Sequence, residues 1–295
     1  MDINFLRTFL AVVDHGSMAA AARSLGLSPS GIAQQLHALE RELGTPLIVR
    51  VGRTMRMTEQ GGRIIDHARQ VVRDAADLRS IANDGELRGE LHLGACTTPL
   101  IGMLPEILSR VSEKFPQITV HIQSGNSSQL YREVEMGNLD AAFVLEAPYP
   151  LPKTCDWMVL REEPLIVLAP EALAHVDAHS LLREQPFIRY DRNQWGGRSA
   201  EQYLRGAGIV PRERFELNAL NAIAMMVDRG LGISLVPDWA PPWPAGLNVA
   251  RLALPKPTMA RRIGIVWSLA TVRMRLVRVL REESEKASAS ATHRA

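Results

Sequence analysis

The 295-residue sequence predicts an α/β multidomain chain with a winged helix-turn-helix over residues 1–61, a linker helix and hinge over 62–88, and a two-lobed α/β region over 89–286. Three observations carry this. Two capped helices flank a glycine turn and lead into an arginine-bearing hairpin. Apolar residues then recur on a heptad step after Thr58. From Glu90 onward strands alternate with helices, in two successive sets. A chain of this length exceeds the roughly 100–200 residues of one domain.

Phe5, Phe9, Val12 and Val13 recur at helical spacing and predict a first core helix. Arg7 and Asp14 interrupt its apolar run and Asp2 precedes any basic residue, which argues against a signal peptide. No run approaches the twenty apolar residues of a membrane span. The two cysteines, Cys96 and Cys155, fit neither a disulfide scaffold nor a zinc motif, so a soluble cytoplasmic chain without cofactor is expected.

Ser17 is placed to N-cap a helix through Leu25, Gly26-Leu27-Ser28 makes the tight turn, and Ser28 with Pro29 opens the next helix. Ile32, Leu36, Leu39 and Leu43 form the apolar face of that second helix. Its other positions, Ser30, Gly31, Gln34, Gln35 and His37, lack a carboxylate and suit a DNA major groove. After Gly44-Thr45-Pro46, strands Leu47–Arg50 and Met55–Met57 around Gly52-Arg53-Thr54 read as a wing. No acid lies between Glu42 and Glu59, while Arg50, Arg53 and Arg56 are placed for phosphate or minor-groove contact. The whole-chain charge of +2 gives no general polyanion affinity, so the placement of these arginines is what counts.

In order along the chain, Phe5-Leu6-Arg7-Thr8-Phe9, Gly16-Ser17-Met18 with the alanine run, Ser28-Pro29-Ser30, Leu39-Glu40-Arg41-Glu42-Leu43-Gly44, Pro46-Leu47-Ile48-Val49-Arg50 and Thr58-Glu59-Gln60-Gly61 resemble the LysR-type family of bacterial transcription regulators. Ala33, Gln34 and Ile48 stand where that family more often has Ser or Thr, Arg, and Phe. The resemblance implies double-stranded promoter DNA as partner, with Ser17, Ser28, Pro29, Ser30, Gly31, Gln34, Gln35, His37, Arg50, Arg53 and Arg56 at the interface. RNA polymerase is a further expected partner.

From Thr58 a long helix is predicted to about Asn83. Its Ile64, Ala68, Val71, Ala75 and Leu78 step by four and three, which reads as the seam of a self-associating helix, the alternative being a helix packed on its own domain. The resemblance makes this the dimerising linker of a homodimer or homotetramer. Asn83 to Gly89 reads as the hinge.

Beyond it, strands Leu91–Cys96, Ile118–Gln123 and Ala141–Leu145 alternate with helices Met103–Phe115 and Ser128–Gly137, which predicts a parallel sheet. Strands at Leu165–Ala169, Pro186–Tyr190, Arg214–Leu217 and Ile233–Val236 begin a second unit. Lobe I is assigned 89–161 and 267–286, lobe II 162–266, and 287–295 a disordered Ala/Ser tail. This region resembles the family's effector domain, itself similar to periplasmic solute-binding proteins, which implies a small-molecule effector between the lobes.

Ligands of open α/β sheets sit beyond strand carboxyl ends, where helix N-termini offer N–H groups. Cys96, Thr97 and Thr98, then Gly125, Asn126, Ser127 and Ser128, occupy two such places. Arg189, Trp195 and Asn218 follow strands of the second lobe. These residues point to a small organic anion, the alternative being an apolar pocket lined by Trp195 or Met225. Two alternatives remain on the sequence: redox sensing through Cys96, and an enzyme in which His92 or His121 activates Cys96. Glu162 and Glu163 adjoin in a strand and point to opposite faces, so they form no catalytic pair.

Overall fold

The computed structural model describes residues 1–52, 54–82, 87–255 and 260–292, with the side chains of all but 76–82 and 291–292. The chain divides into two compact units, Met1–Glu86 and Leu87–Ala295.

The first unit begins with α1 (Ile3–His15), α2 (Met18–Leu25) and α3 (Pro29–Leu43), followed by the ribbon β1 (Ile48–Val51) and β2 (Thr54–Met57) and by α4 (Glu59–Ala82). Ser17 Oγ accepts the Ala20 N–H and Ser28 Oγ the Gly31 N–H, each at 3.1 Å, so both predicted caps form. Phe9, Val12, Ala21, Ile32, Leu36, Leu39 and Leu47 make one core. The small alanines of α2 let α1 and α3 approach.

The Thr58-to-Gly61 motif has a local cause. Thr58 Oγ1 donates to the Pro46 carbonyl at 2.8 Å and accepts the Gly61 N–H at 3.0 Å, joining the strand entry to the start of α4. A Cβ at Gly61 would lie 2.3 Å from the Leu47 carbonyl oxygen, so only glycine fits there. Glu40 does similar work from α3: its Oε1 accepts the N–H groups of Leu47 at 2.8 Å and Ile48 at 3.2 Å. Glu40→Ala strands two buried donors and is expected to cost about 2 kcal/mol, read by chemical denaturation followed by circular dichroism, with Glu40→Gln recovering part of the loss.

The first turns of α4 correct the predicted seam. Ala68 is buried in this same core, with Ile64, Ile65 and Val72 packed on it, and Arg69 pairs with Asp14 of α1 at 2.5 Å. Ala68 is therefore used inside its own domain, with Ile64 packed beside it. Val71 is exposed and Ala75 half-buried, while the Leu78 side chain lies outside the described residues. The heptad step was real, but its first repeat is used inside the chain.

In the second unit, lobe I is a five-stranded sheet. Its strands are β3 (Gly89–Ala95), β4 (Ile118–Ser124), β5 (Ala141–Leu145), β6 (Cys155–Glu163) and, from the far end of the chain, β12 (Arg261–Ser268), in the order β4-β3-β5-β12-β6. β3, β4 and β5 are parallel and β12 runs antiparallel to both its neighbours, so the predicted parallel sheet is mixed. Short α5 (Thr97–Gly102) precedes α6 (Leu104–Lys114). Leu91, Leu93 and Ala95 point to one face, under α6 and α11 (Met274–Thr292). The other face is covered by α7 (Ser127–Glu135) through Leu130, Tyr131 and Val134. Helix α11 overturns the predicted disorder over 287–292, the last three residues lying outside the described ones: it runs to Thr292 with Ala287 buried against lobe I. Alanine is a strong helix former, and an apolar neighbour turns the Ala/Ser composition into a helix end.

Lobe II holds β7 (Leu165–Pro170), α8 (Ala178–Glu184), β8 (Pro186–Tyr190), α9 (Trp195–Gly206), β9 (Arg212–Leu217), α10 (Leu220–Asp228), β10 (Ser234–Pro237) and β11 (Val249–Ala253). β7 lies between β10 and β11, and β8 pairs with β9 in parallel. The continuous apolar run of β7 follows from burial on both sides: Leu165, Val167 and Ala169 face α8 and α9, whereas Ile166 and Leu168 face α10. Strands β6 and β12, ending at Glu163 and starting at Arg261, both belong to the lobe I sheet. The predicted lobe II limits of 162–266 are thus too wide by a strand end on one side and most of a strand on the other.

Candidate functional site

On α3, Ser28, Pro29, Ser30, Gln34 and His37 are exposed and Gly31 half-buried. Gln34 and His37 are three apart and share a face. Gln35 does not join them: its Oε1 accepts the Thr8 hydroxyl of α1 at 2.5 Å, which ties α3 to its own domain. Ser17 and Ser28 are engaged as caps. His37 Nδ1 stands 3.3 Å from Glu40 Oε2. In the ribbon Val49 lies opposite Arg56 and Arg50 opposite Met55. Arg50 and Arg56 therefore project from opposite faces of the wing, a geometry for two walls of a groove. Arg53 lies outside the described residues.

Between the two lobes is a cavity of about 360 Å³. The predicted Cys96, Thr97, Thr98, Gly125, Asn126, Ser127, Ser128, Trp195 and Asn218 all line it. The reason is topological: the carboxyl ends of β3, β4, β8 and β9 face it, and each leads into a helix. The N-termini of α5, α7, α9 and α10 thus meet at one place. Asn126 caps α7 by accepting the Gln129 N–H at 2.9 Å. The N-cap residues of α5, α9 and α10, namely Cys96, Gln194 and Ala219, give no side-chain cap.

Arg189 is the exception among the predicted lining residues. It is buried on the other face of β8, where its guanidinium contacts Glu201 and Glu213, each at 2.5 Å. Strand alternation explains this, because Ile188 and Tyr190 share one face and Arg189 takes the opposite one. Tyr190 lines the cavity instead. Met225 is exposed and forms no part of it.

The cation that does reach the cavity is Arg261, which was not anticipated. It opposes Glu163 in the β12–β6 register, both are buried, and Nε meets Glu163 Oε2 at 2.8 Å. Its Nη2 is 3.4 Å from Thr98 Oγ1 and its Nη1 3.5 Å from Tyr190 Oη. Glu163 Oε1 also accepts the Ala240 N–H at 3.1 Å. This pair stands where both crossovers pass between the lobes. Its sequence signal was an acid ending one strand and a base starting another.

The groups of the enzymatic alternative are not assembled. His92 and His121 stack with ring centroids 5.0 Å apart and approach Glu90 Oε2 at 3.6 and 3.8 Å. Cys96 stands instead among Ser127, Thr98 and Arg261. Burial pushes its thiol pKa up, although Arg261 pulls the other way. Glu163 is buried while Glu162 is exposed, consistent with opposite faces.

Two family models match this chain: "Bacterial regulatory helix-turn-helix protein, lysR family" over residues 3–62 and "LysR substrate binding domain" over residues 84–289. The chain belongs to the LysR family. Among its relatives, the HTH-type transcriptional regulator CzcR of Bacillus cereus is 30% identical over 241 residues, 81% of each chain. A probable hydrogen peroxide-inducible genes activator of Mycobacterium avium is 32% identical over 277 residues, 89% of this chain and 86% of that one. The full-length CbnR crystallised with its target DNA shares the fold, with a TM-score of 0.67 at 22% identity, covering 97% of this chain and 100% of that one.

As a LysR-type transcriptional regulator, the protein combines a DNA-binding winged helix-turn-helix with an effector-binding domain. Family membership assigns these roles to the two units whose surfaces are described above. Among the described residues no helix is long and apolar enough to cross a membrane.

Proposed function

We propose that this regulator responds to a small organic anion, a carboxylate, held in the cavity between the lobes. The observation that carries it is the convergence of four helix N-termini on a cavity whose side chains are mainly hydroxyls and amides. Helix N-termini favour negative charge, and the first-turn N–H groups of α5, α9 and α10 have no side-chain cap. Arg261 adds a donor edge beside Thr98 while its own charge is balanced by Glu163. The effector touches both lobes, so it favours one lobe angle by its differential affinity for it. The same reading has two copies of α3 on a roughly palindromic promoter site, dimerisation beyond Val71 on α4, a cytoplasmic location, RNA polymerase as the downstream partner and no catalysis.

A thermal-shift series of small carboxylates, amino acids, amines and sugars tests it. Carboxylates are expected to raise the melting temperature of the effector unit, by an amount set by concentration over affinity, and to alter DNA affinity or bend. A panel in which only uncharged sugars or amines act at this cavity overturns the anion reading.

Similarity to a peroxide-inducible activator supports a second reading, redox sensing through Cys96. Burial works against it, since a raised thiol pKa leaves little thiolate to react with an oxidant. Cys96→Ser separates the two: an unchanged DNA response to oxidant excludes this thiol as the sensor.

A further inference from the structure

A second cavity, of about 740 Å³, lies beside the lobe crossing, between the loop after β5 and the flank of α9. It shares Leu145, Trp195 and Arg261 with the effector cavity, so the Trp195 side chain and the crossover stand between the two. Its chemistry is different. Helix α9 enters through Ser199, Gln202, Tyr203 and Gly206, which at spacings of three and four form one side of the helix. The helix therefore runs along the cavity wall, with its first residues Trp195 and Gly196 at one end of it.

The walls are apolar and aromatic: Pro148 and Tyr149 from lobe I, Trp195 and Tyr203 from lobe II. Tyr149 and Trp195 meet at 90° with centroids 5.8 Å apart, and Trp195 packs on Tyr131 at 5.5 Å. Two aromatic rings at right angles make a corner that takes a further ring stacked on one and edge-on to the other. The charged rim selects a cation. Arg262 is shared between Glu146, at 2.8 and 3.0 Å, and Glu162, at 3.4 Å. One guanidinium thus faces two carboxylates, and Glu146 can turn to a ligand while Arg262 keeps Glu162. The neighbouring Arg261 is already balanced by Glu163.

We propose that this cavity is a second ligand site, for an arylalkyl ammonium whose ring lies against Tyr149 and Trp195 and whose ammonium meets Glu146. Trp195 belongs to lobe II yet packs among the lobe I rings Tyr131 and Tyr149, so an occupant that stacks on it also holds the lobes as they stand. The site therefore couples to the effector cavity through Trp195 without sharing its ligand class.

Phenethylamine and phenylacetate, one ring with opposite charges, are the probes, titrated into the full-length protein by isothermal calorimetry. Phenethylamine is expected to bind saturably at millimolar concentration. Tyr149→Ala and Glu146→Gln are each expected to weaken it about tenfold, the scale of a lost ring–ring or charge-assisted contact. Asn218→Ala, in the other cavity, leaves phenethylamine binding in place. Both residues 146 and 149 lie in an exposed loop, and an unchanged melting temperature of the variants confirms that they fold. Absence of saturable phenethylamine binding overturns the proposal. So does phenethylamine binding that ignores both loop substitutions, or that Asn218→Ala abolishes. Phenylacetate binding that Glu146→Gln strengthens to the level of phenethylamine supports it, since the carboxylate is then what selects charge.

Discussion

Arg261→Met is expected to destabilise the effector unit by about 3–5 kcal/mol, because it leaves Glu163 buried without its counter-ion. Glu163 has essentially no solvent exposure, and after the substitution it keeps, among the described residues, the Ala240 N–H at 3.1 Å and the more distant Arg161 Nε at 3.6 Å. Arg161 is about one-third exposed and offers partial compensation, which places the loss toward the lower end of that range. The measurement is direct, because all five tryptophans lie beyond residue 150. Tryptophan emission during urea unfolding therefore reports the second unit without contribution from the first. Adding Glu163→Gln to Arg261→Met removes the uncompensated charge and is expected to restore much of the stability. A single substitution as mild as the double one would show that Arg261 and Glu163 are not energetically coupled.

That pair also marks where the sequence stopped being legible. Glu163 before Pro164, and Arg261 before an apolar strand, are visible as charges at strand ends. Their pairing depends on β12 returning to lobe I antiparallel to β6, a contact across almost 100 residues. Local pattern has no access to that register. The opposite error at Arg189 has the same origin: alternation says that Arg189 and Tyr190 take different faces, but only the assembled sheet says which face looks into the cavity. The hydroxyl-rich turns at Cys96–Thr98 and Gly125–Ser128 were legible because capping and position after a strand are local properties. The same holds for Ser17 and Ser28, whose caps depend on neighbours three residues away.

Residues with two compatible uses were harder. Ile64 and Ala68 fit a heptad seam and equally fit a helix packed on α1, and periodicity alone does not separate them. Gln35 carries the same amide as Gln34, yet one helical step turns it toward Thr8. The Ala/Ser tail reads as disorder by composition and becomes helix because Ala287 finds the apolar face of lobe I. In each case the deciding term is a tertiary neighbour.

The DNA-binding unit yields the other large expected effect. Gln34→Ala is expected to cost about 1–3 kcal/mol on the specific promoter site and little on unrelated DNA, as for loss of a base-edge contact. Arg56→Ala is expected to weaken binding to all sequences and to reduce the salt slope by about one, as for loss of a phosphate contact. The geometry supports this division of labour. Gln34 is exposed on α3 with no carboxylate among the preceding residues of that helix, whereas Arg56 lies on the wing opposite Val49. Gln35→Ala serves as the internal contrast: its loss is expected in stability, through the Thr8 hydrogen bond, and not in sequence preference. Affinity measured on specific and scrambled duplexes at several salt concentrations resolves all three. If Gln34→Ala and Arg56→Ala lower both affinities equally and leave the salt slope alone, α3 is not the reading element and the wing is not the phosphate clamp.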